Sequence, residues 1–278
     1  MIDRVTPLIL TFNEAPNIGR VLERLVWARD IVVVDSFSDD QTVAIAKSFP
    51  QVRVVQRKFD NHGAQWNFGL RETGIATEWV LALDADYVLT PEFVAELKEI
   101  EPTMKGYQAR FTYCINGHPL RSGVYPPVTV FYQKGFAEYS QDGHTHRLEL
   151  KGEVGMIEAR ILHDDRKPLQ RWFESQQRYM ALEAKKLLAS DGNTLSTADR
   201  IRRLRVVAPL AVLCYCLIFR GGVLDGWPGF YYAFQRMFAE LLLSLYLIEA
   251  DFNAATKPKK LTEKPARSED LAVSSKHQ

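Results

Sequence analysis

Cysteine is scarce in this chain. Cys114, Cys214 and Cys216 are too few for a disulfide framework and match no zinc spacing, so they point to buried thiols in a reducing cytoplasm. A surplus of charge of one sign is also missing: Lys plus Arg total 35 against 34 for Asp plus Glu. Without a global field, nucleic acid is not expected as a partner. Nor is any apolar run long and clean enough for a simple membrane span. Val206 to Phe219 contains Pro209 and falls short of the ~20 residues a spanning helix needs. "GFYYAFQRMFAELLLSLYLIEADF" is longer, but Arg236, Glu240 and Ser244 recur on one stripe, which makes it an amphipathic helix. The opening "MIDRVTPLILTFNE" has an apolar run broken by Pro7 and too short for a signal peptide, so export is not expected. There is no internal repeat. What is present is an apolar fraction of 46%, enough to bury the core of one large domain, or of one domain with an extension.

Periodicity then sets the fold class. "VTPLILTF" and "IVVVD" are short β-branched runs, and Ile18, Val21, Leu22 and Leu25 between them recur at helical spacing. Asn13 suits the cap of that helix and Pro16 its first turn. A helix in "QTVAIAKSF", a strand in "VRVVQ", a helix in "GAQWNFGLRETG", a strand in "EWVLALD" and a helix in "TPEFVAELKEI" follow. This alternation predicts a Rossmann-like α/β fold, a mixed, mainly parallel sheet with helices on both faces. "GYQARFTYCING" and "PVTVFYQ" read as later strands, and the stretch from Pro168 to about Ser190 as a helix with a mixed aromatic and aliphatic face. The tail beyond Lys257 has a disordered composition.

Ligands of such sheets bind beyond the carboxyl ends of the strands. Thr11, Asn13 and Glu14 follow the first strand, Asp35 ends the second, and Asp84 and Asp86 end the fourth, so acidic corners converge on one edge. If the fourth strand continues through Ala85, Asp84 and Asp86 project to the same side. Two carboxylates that close repel unless a cation lies between them, and carboxylates with water and phosphate oxygens suit Mg²⁺ or Mn²⁺. Asp-x-Asp also occurs in turns and caps. Asp39 and Asp40, in "SDDQT", read as helix-start residues rather than ligands. Asp35 has the same alternative role, and Gln65 and Asn67 could equally satisfy backbone at a helix start.

Four segments, "PLILTFNEAPNIGRVLERL", "IVVVDSFSDDQTVAIA", "HGAQWNFGL" and "WVLALDADYVLTPEF", resemble in order and spacing the signature of family 2 glycosyltransferases with the GT-A fold. "GGVLDGWPGFYYAFQRMFAELLLSLYL" is similar to the C-terminal region of the bacterial branch that includes lipopolysaccharide core glucosyltransferases. The resemblance covers about residues 5 to 250. It implies that Thr11, Asn13, Glu14 and Asp35 hold the nucleotide, that Gln65 and Asn67 line the donor site, and that Asp84 and Asp86 hold the metal and diphosphate. His163 in "ARILHDDRK" is the candidate to complete the metal contacts.

The implied reaction is inverting transfer from a nucleotide-diphosphate sugar, a UDP-sugar favoured, to a lipid-linked or lipopolysaccharide-core acceptor. It needs a base for the acceptor hydroxyl. The branch commonly carries a His-Glu pair here, but His146 is followed by Arg147, so Asp142 is the expected base, with Glu149 behind it. His144 and His146 are either acceptor-orienting or ordinary loop residues. The Arg200, Arg202, Arg203 and Arg205 run beside amphipathic helices suggests binding to an anionic membrane face through residues 200–250, or packing on the catalytic domain or another subunit, including a homo-oligomer. The expected layout is a catalytic domain over 1–195, a membrane-association or oligomerisation segment over 196–254 and a disordered tail over 255–278, with the protein peripheral to the cytoplasmic side of the inner membrane. Two other readings stand beside this one. A nucleotide- or membrane-binding module that has lost its base would explain Arg147. A sugar nucleotidyltransferase would need a Gly-rich basic loop after the first strand, where this chain has "TFNEAPN".

Overall fold

The computed structural model describes residues 1–142, 145–191 and 195–256; His144 and the tail from 257 lie outside them. In chain order the strands and helices are β1 (Val5–Thr11), α1 (Ile18–Glu23), β2 (Ile31–Asp35), α2 (Thr42–Lys47), β3 (Val52–Gln56), α3 (His62–Glu72), β4 (Trp79–Asp84), β5 (Tyr87–Leu89) and α4 (Pro91–Glu99). Then come β6 (Gly106–Ile115), β7 (His118–Pro119), β8 (Val128–Gln133), β9 (Ala137–Asp142), β10 (Thr145–Leu150) and β11 (Val154–His163), followed by α5 (Leu169–Ala189), α6 (Thr197–Arg203), α7 (Val207–Cys214) and α8 (Trp227–Ala255).

The main sheet runs β3-β2-β1-β4-β8-β6-β11-β5, with β7 added to β6. Its first four strands are parallel, β8 enters antiparallel between β4 and β6, and β11 returns parallel to β6. Alternation along the strands explains the two covered faces. Ile9, Val33, Leu81 and Leu83 pack with Ile18, Val21 and Leu22 of α1, Ala46 of α2 and Phe93 and Leu97 of α4. Leu8, Val32, Val34, Val80 and Ala82 meet Trp66 and Leu70 of α3 and Tyr139 of β9 on the other face. Pro7 is tolerated in central β1 because the ladder with β2 starts one residue later, at Leu8 opposite Val32. Gly69 lets α3 lie on β1, since a Cβ there would stand 2.9 Å from the Leu8 methyl carbons.

Two local expectations are corrected. Asn13 does not cap α1, whose N-cap position is Asn17; Asn13 instead takes a left-handed conformation, φ 56°, one of the few that a short polar side chain tolerates. The fourth strand does not run through Ala85: Ala85 and Asp86 form a turn from β4 into β5.

The C-terminal helices form a layer of their own. Leu243 and Leu247 of α8 pack on Ala184 and Leu187 of α5, and Tyr232 and Ala233 pack with Cys216 and Leu120. The arginine run proves to be largely structural. Arg202 pairs with buried Glu240 at 2.7 Å, Arg203 donates to the Leu187 and Ser190 carbonyls, and Arg205 pairs with Asp251 at 2.8 Å. Among the described residues, no helix is long and apolar enough to cross a membrane.

Candidate functional site

The carboxyl ends of β1, β2 and β4 open onto a cavity of about 760 Å³, roofed by α5. Thr11, Asn13, Glu14, Gln65, Asp84 and Asp86 all line it. Loop chemistry fixes this floor. Asp35 is buried at the end of β2 and accepts from the Thr11 and Ser38 hydroxyls, the Ser38 N–H and the Gln56 amide. Those donors are all its own chain's, and Asp35 does not line the cavity; its neighbour Ser36 does. The carboxylate thus braces the corner. Asn13 locks the same corner, its side-chain carbonyl accepting from the Asp39 N–H while its own N–H donates to Ser38 Oγ. Asp40 accepts from the N–H of Thr42, as its helix-start position suggested.

Asp84 and Asp86 face the cavity together in spite of the turn between them. Burial and then the Asp86 charge push Asp84 up to about 6. Burial alone would raise Asp86 too, but its net direction is downward, because the His163 imidazole lies against it with Nε2 3.3 Å from Oδ2. His163 is raised in turn: burial opposes its charge, and Asp86 and Asp84 outweigh that. Asp86 Oδ1 and His163 Nδ1 are buried with no hydrogen-bond partner. Two facing carboxylates and an orphaned buried oxygen fit a hard divalent cation. Among the described residues, no group of three or more His, Cys, Asp or Glu side chains is disposed to hold a metal alone; a cation here would need water and a ligand's phosphate oxygens to complete its coordination.

Sequence reasoning missed a cation of this site, Lys167, four residues beyond the His163 it singled out. Lys167 Nζ lies 2.6 Å from Glu14 Oε1 and 3.7 Å from Asp165. Burial works against its charge, yet Glu14, Asp165 and Asp86 hold it protonated beyond the ordinary lysine range. Burial pushes Glu14 up to about 7 even with Lys167 beside it. The loop that carries Lys167 is fastened to α1. Asn17 donates to Glu14 and Asp165 and accepts from the Arg166 N–H, and Arg20 holds buried Asp164 at 2.7 Å. Also unforeseen was the contribution of α5, whose Arg171, Glu174, Arg178 and Tyr179 line the cavity from above. The signal was there in the polar side of that helix, opposite the aromatic stripe that drew attention.

Like Asp35, three further expected site residues do not line the cavity. Asn67 spends both ends of its amide on the Tyr139 backbone, donating at 2.8 Å and accepting at 2.9 Å, and so clamps α3 to β9. Asp142 is held by Arg147 at 3.0 Å and Lys186 at 2.8 Å, which lower its pKa, and it does not line the cavity. Glu149 accepts from Ser140 on the exposed side of the β9–β10 hairpin. A carboxylate stabilised as its anion by two cations is a poor proton acceptor. His146 packs among Trp66, Tyr139 and His62.

Residues 8–105 match the family model of Glycosyl transferase family 2. An "Uncharacterized glycosyltransferase" of Rickettsia bellii (strain RML369-C) is 30% identical over 146 residues, 49% of this chain and 48% of that protein. The chain therefore spans about half the length of that relative. Another from Rickettsia felis (strain ATCC VR-1525 / URRWXCal2) is 24% identical over 211 residues, 70% of this chain and 73% of its own. Among solved structures, the mannosyltransferase PcManGT from Pyrobaculum calidifontis, in complex with GDP-Man and Mn²⁺, aligns with a TM-score of 0.50 at 14% identity, over 88% of this chain and 87% of that one. The architecture is the GT-A fold.

Proposed function

We propose that the chain transfers a sugar, with inversion, from a nucleotide-diphosphate donor to a hydroxyl of a lipid-linked or lipopolysaccharide-core glycan. The observation that carries this reading is the half-buried Asp84–Asp86 pair, with its orphaned oxygen, on the floor of a cavity that Lys167 also lines and that a nucleotide sugar would fill. A divalent cation, Mg²⁺ or Mn²⁺, held by Asp86 and Asp84 with His163 against them, would neutralise the leaving diphosphate. Thr11, Asn13, Glu14 and Gln65 would hold the nucleoside, a UDP donor being favoured.

The chain's own residues supply the rest. Lys167 brings a fixed positive charge to the side of the cavity where Asp86 lies, and charge placed in advance where negative charge develops lowers the barrier. The acceptor oxygen attacks the anomeric carbon as the bond to the diphosphate breaks, and its proton must pass to a base. Among the cavity carboxylates, Asp84 and Asp86 would hold the cation, Glu14 is tied to Lys167 and Asp60 to Arg57 at 2.6 Å. Glu174 has, among the described residues, Arg171 at 3.5 Å and the Gln170 amide at 3.4 Å, so we assign the base to Glu174 in place of Asp142.

The test is release of UDP from UDP-sugars in the presence of a lipid-linked glycan acceptor and Mn²⁺, with wild type, Glu174→Gln and Asp142→Asn. Glu174→Gln is expected to lower turnover by ~10² or more with donor affinity retained, while Asp142→Asn stays within about threefold of wild type. A collapse with Asp142→Asn alone would return the base to the hairpin. Absence of transfer from UDP-, GDP- and ADP-sugars by wild type would favour the binding module.

A further inference from the structure

The surface between α7 and α8 is unlike the rest of the molecule. A π-helical turn (Tyr215–Phe219) and a short 3-10 helix (Gly222–Asp225) reverse the chain into a helical hairpin. The turn is tight: Gly221 and Gly226 take φ 71° and 62°, and a Cβ on Gly229 would fall 2.0 Å from the Gly222 carbonyl oxygen. From this turn several of the most exposed large apolar side chains among the described residues project into solvent. Ile218 is 69% exposed, Phe219 79%, Leu224 74% and Trp227 84%. The exposure continues along one stripe of α8 through Tyr231, Phe234, Phe238, Leu241 and Leu245, spaced three and four residues apart.

Charge at this tip has one sign. Between Val206 and Phe234 the only ionisable acid and base with full charge are Asp225 and Arg220. Asp225 is turned inward, accepting from the N–H groups of Arg121 and Ser122 and from the Ser122 hydroxyl. Exposed Arg220 and Arg121 are left at the rim. Farther along α8, the acid Glu240 is buried against Arg202. An apolar tip of Trp, Phe, Leu and Ile with cations at its edge and its acid withdrawn complements an anionic lipid surface.

We infer that the α7–α8 hairpin tip inserts into the headgroup and upper acyl region of an anionic bilayer, and that Ile218, Phe219, Leu224 and Trp227, rather than the arginine run at 200–205, anchor the protein there. A second copy of the chain is the less suitable occupant, because exposure peaks at the turn and not in the middle of the α8 stripe, where a helix-to-helix seam would have its centre. The tip also stands close to the candidate site. The Tyr232 hydroxyl of α8 accepts from the Val124 N–H and donates to the Val124 carbonyl, and its ring packs at a tilt on Tyr113, which packs on His163 beside Asp86. Insertion would hold the cavity at the membrane surface, a role that rests on the lipid-linked acceptor proposed above; the binding itself does not.

The test is co-sedimentation of the full chain, without donor or metal, with vesicles of phosphatidylethanolamine and phosphatidylglycerol and with vesicles of phosphatidylcholine alone. Wild type is expected to partition onto the anionic vesicles, and Phe219→Asp/Trp227→Asp to bind at least tenfold more weakly at an unchanged melting temperature. Arg220→Gln/Arg121→Gln should lose the preference for anionic lipid, and exposed Arg200→Gln should change nothing. Equal binding by the Asp variant and wild type would overturn the inference. So would a wild-type dimer in sedimentation velocity that the Asp variant dissolves with no vesicle binding by either. Because donor and acceptor are absent, a failed vesicle assay leaves the transfer reading untouched, and inactivity in transfer leaves this one untouched.

Discussion

Lys167 and Asn17 show how single residues set this site. Replacing Lys167 by Met removes the charge beside Asp86 while keeping the stem, and is expected to weaken UDP binding about tenfold or more, measured by calorimetry. Asn17→Ala leaves Lys167 in place but frees the loop that holds it, so KM for the donor should rise while the melting temperature falls by only a few degrees. His146 makes a different prediction. Burial, with His62 nearby, holds its pKa down to about 4 against an ordinary value of 6.5. Between those values the unfolded chain binds the extra proton and the folded chain does not, so stability should fall as pH drops from about 6.5 towards 4. His146→Phe should flatten that part of the melting-temperature profile. At this scale residue type and strand end locate Asp84 and Asp86, which face one cavity. Spacing does not reveal partners distant in sequence: Arg147 and Lys186 pair with Asp142, and the Tyr139 backbone occupies the Asn67 amide.

Helices and strands were more legible than their tasks. The limits of β2 and β3 coincide with IVVVD and VRVVQ: β2 is buried throughout and so almost uniformly apolar, whereas β3 at the sheet edge keeps three valines with Arg53 exposed between two of them. The hairpin of β9 and β10 and the long β11 were hard to read, since one face of each is exposed and their side chains mix Glu, Arg and His with apolar residues. For the arginine run ahead of α7, sequence does not show which cations are already paired, and three of them are. Its energetics can be checked directly. Arg202→Ala leaves the buried Glu240 carboxylate without its partner and should cost about 3 kcal/mol, whereas Arg205→Ala breaks a half-exposed pair and should cost under about 1 kcal/mol. Thermal or urea unfolding separates the two; equal small effects would mean that Glu240 finds another donor.

For the whole molecule, the sheet brings three loop corners to one edge, α5 closes the cavity above them, and α7 and α8 carry an apolar tip on the side of His163. The core of this arrangement follows from strands alternating with helices, and the position of the cavity follows from the parallel strands ending together. The closure by α5 does not, because a helix's orientation over a sheet is set by packing such as Leu187 on Leu243, far from the residues that line the cavity. The central claim is that Asp84 and Asp86 hold a cation that in turn holds a diphosphate. It is tested most directly by the calorimetric affinity of UDP for wild type and Asp86→Asn, each with Mn²⁺ and with EDTA. The account expects wild-type binding to weaken at least tenfold in EDTA and the variant to bind weakly in both conditions. Equal UDP affinity with and without Mn²⁺ in the wild type, unchanged in Asp86→Asn, would contradict it.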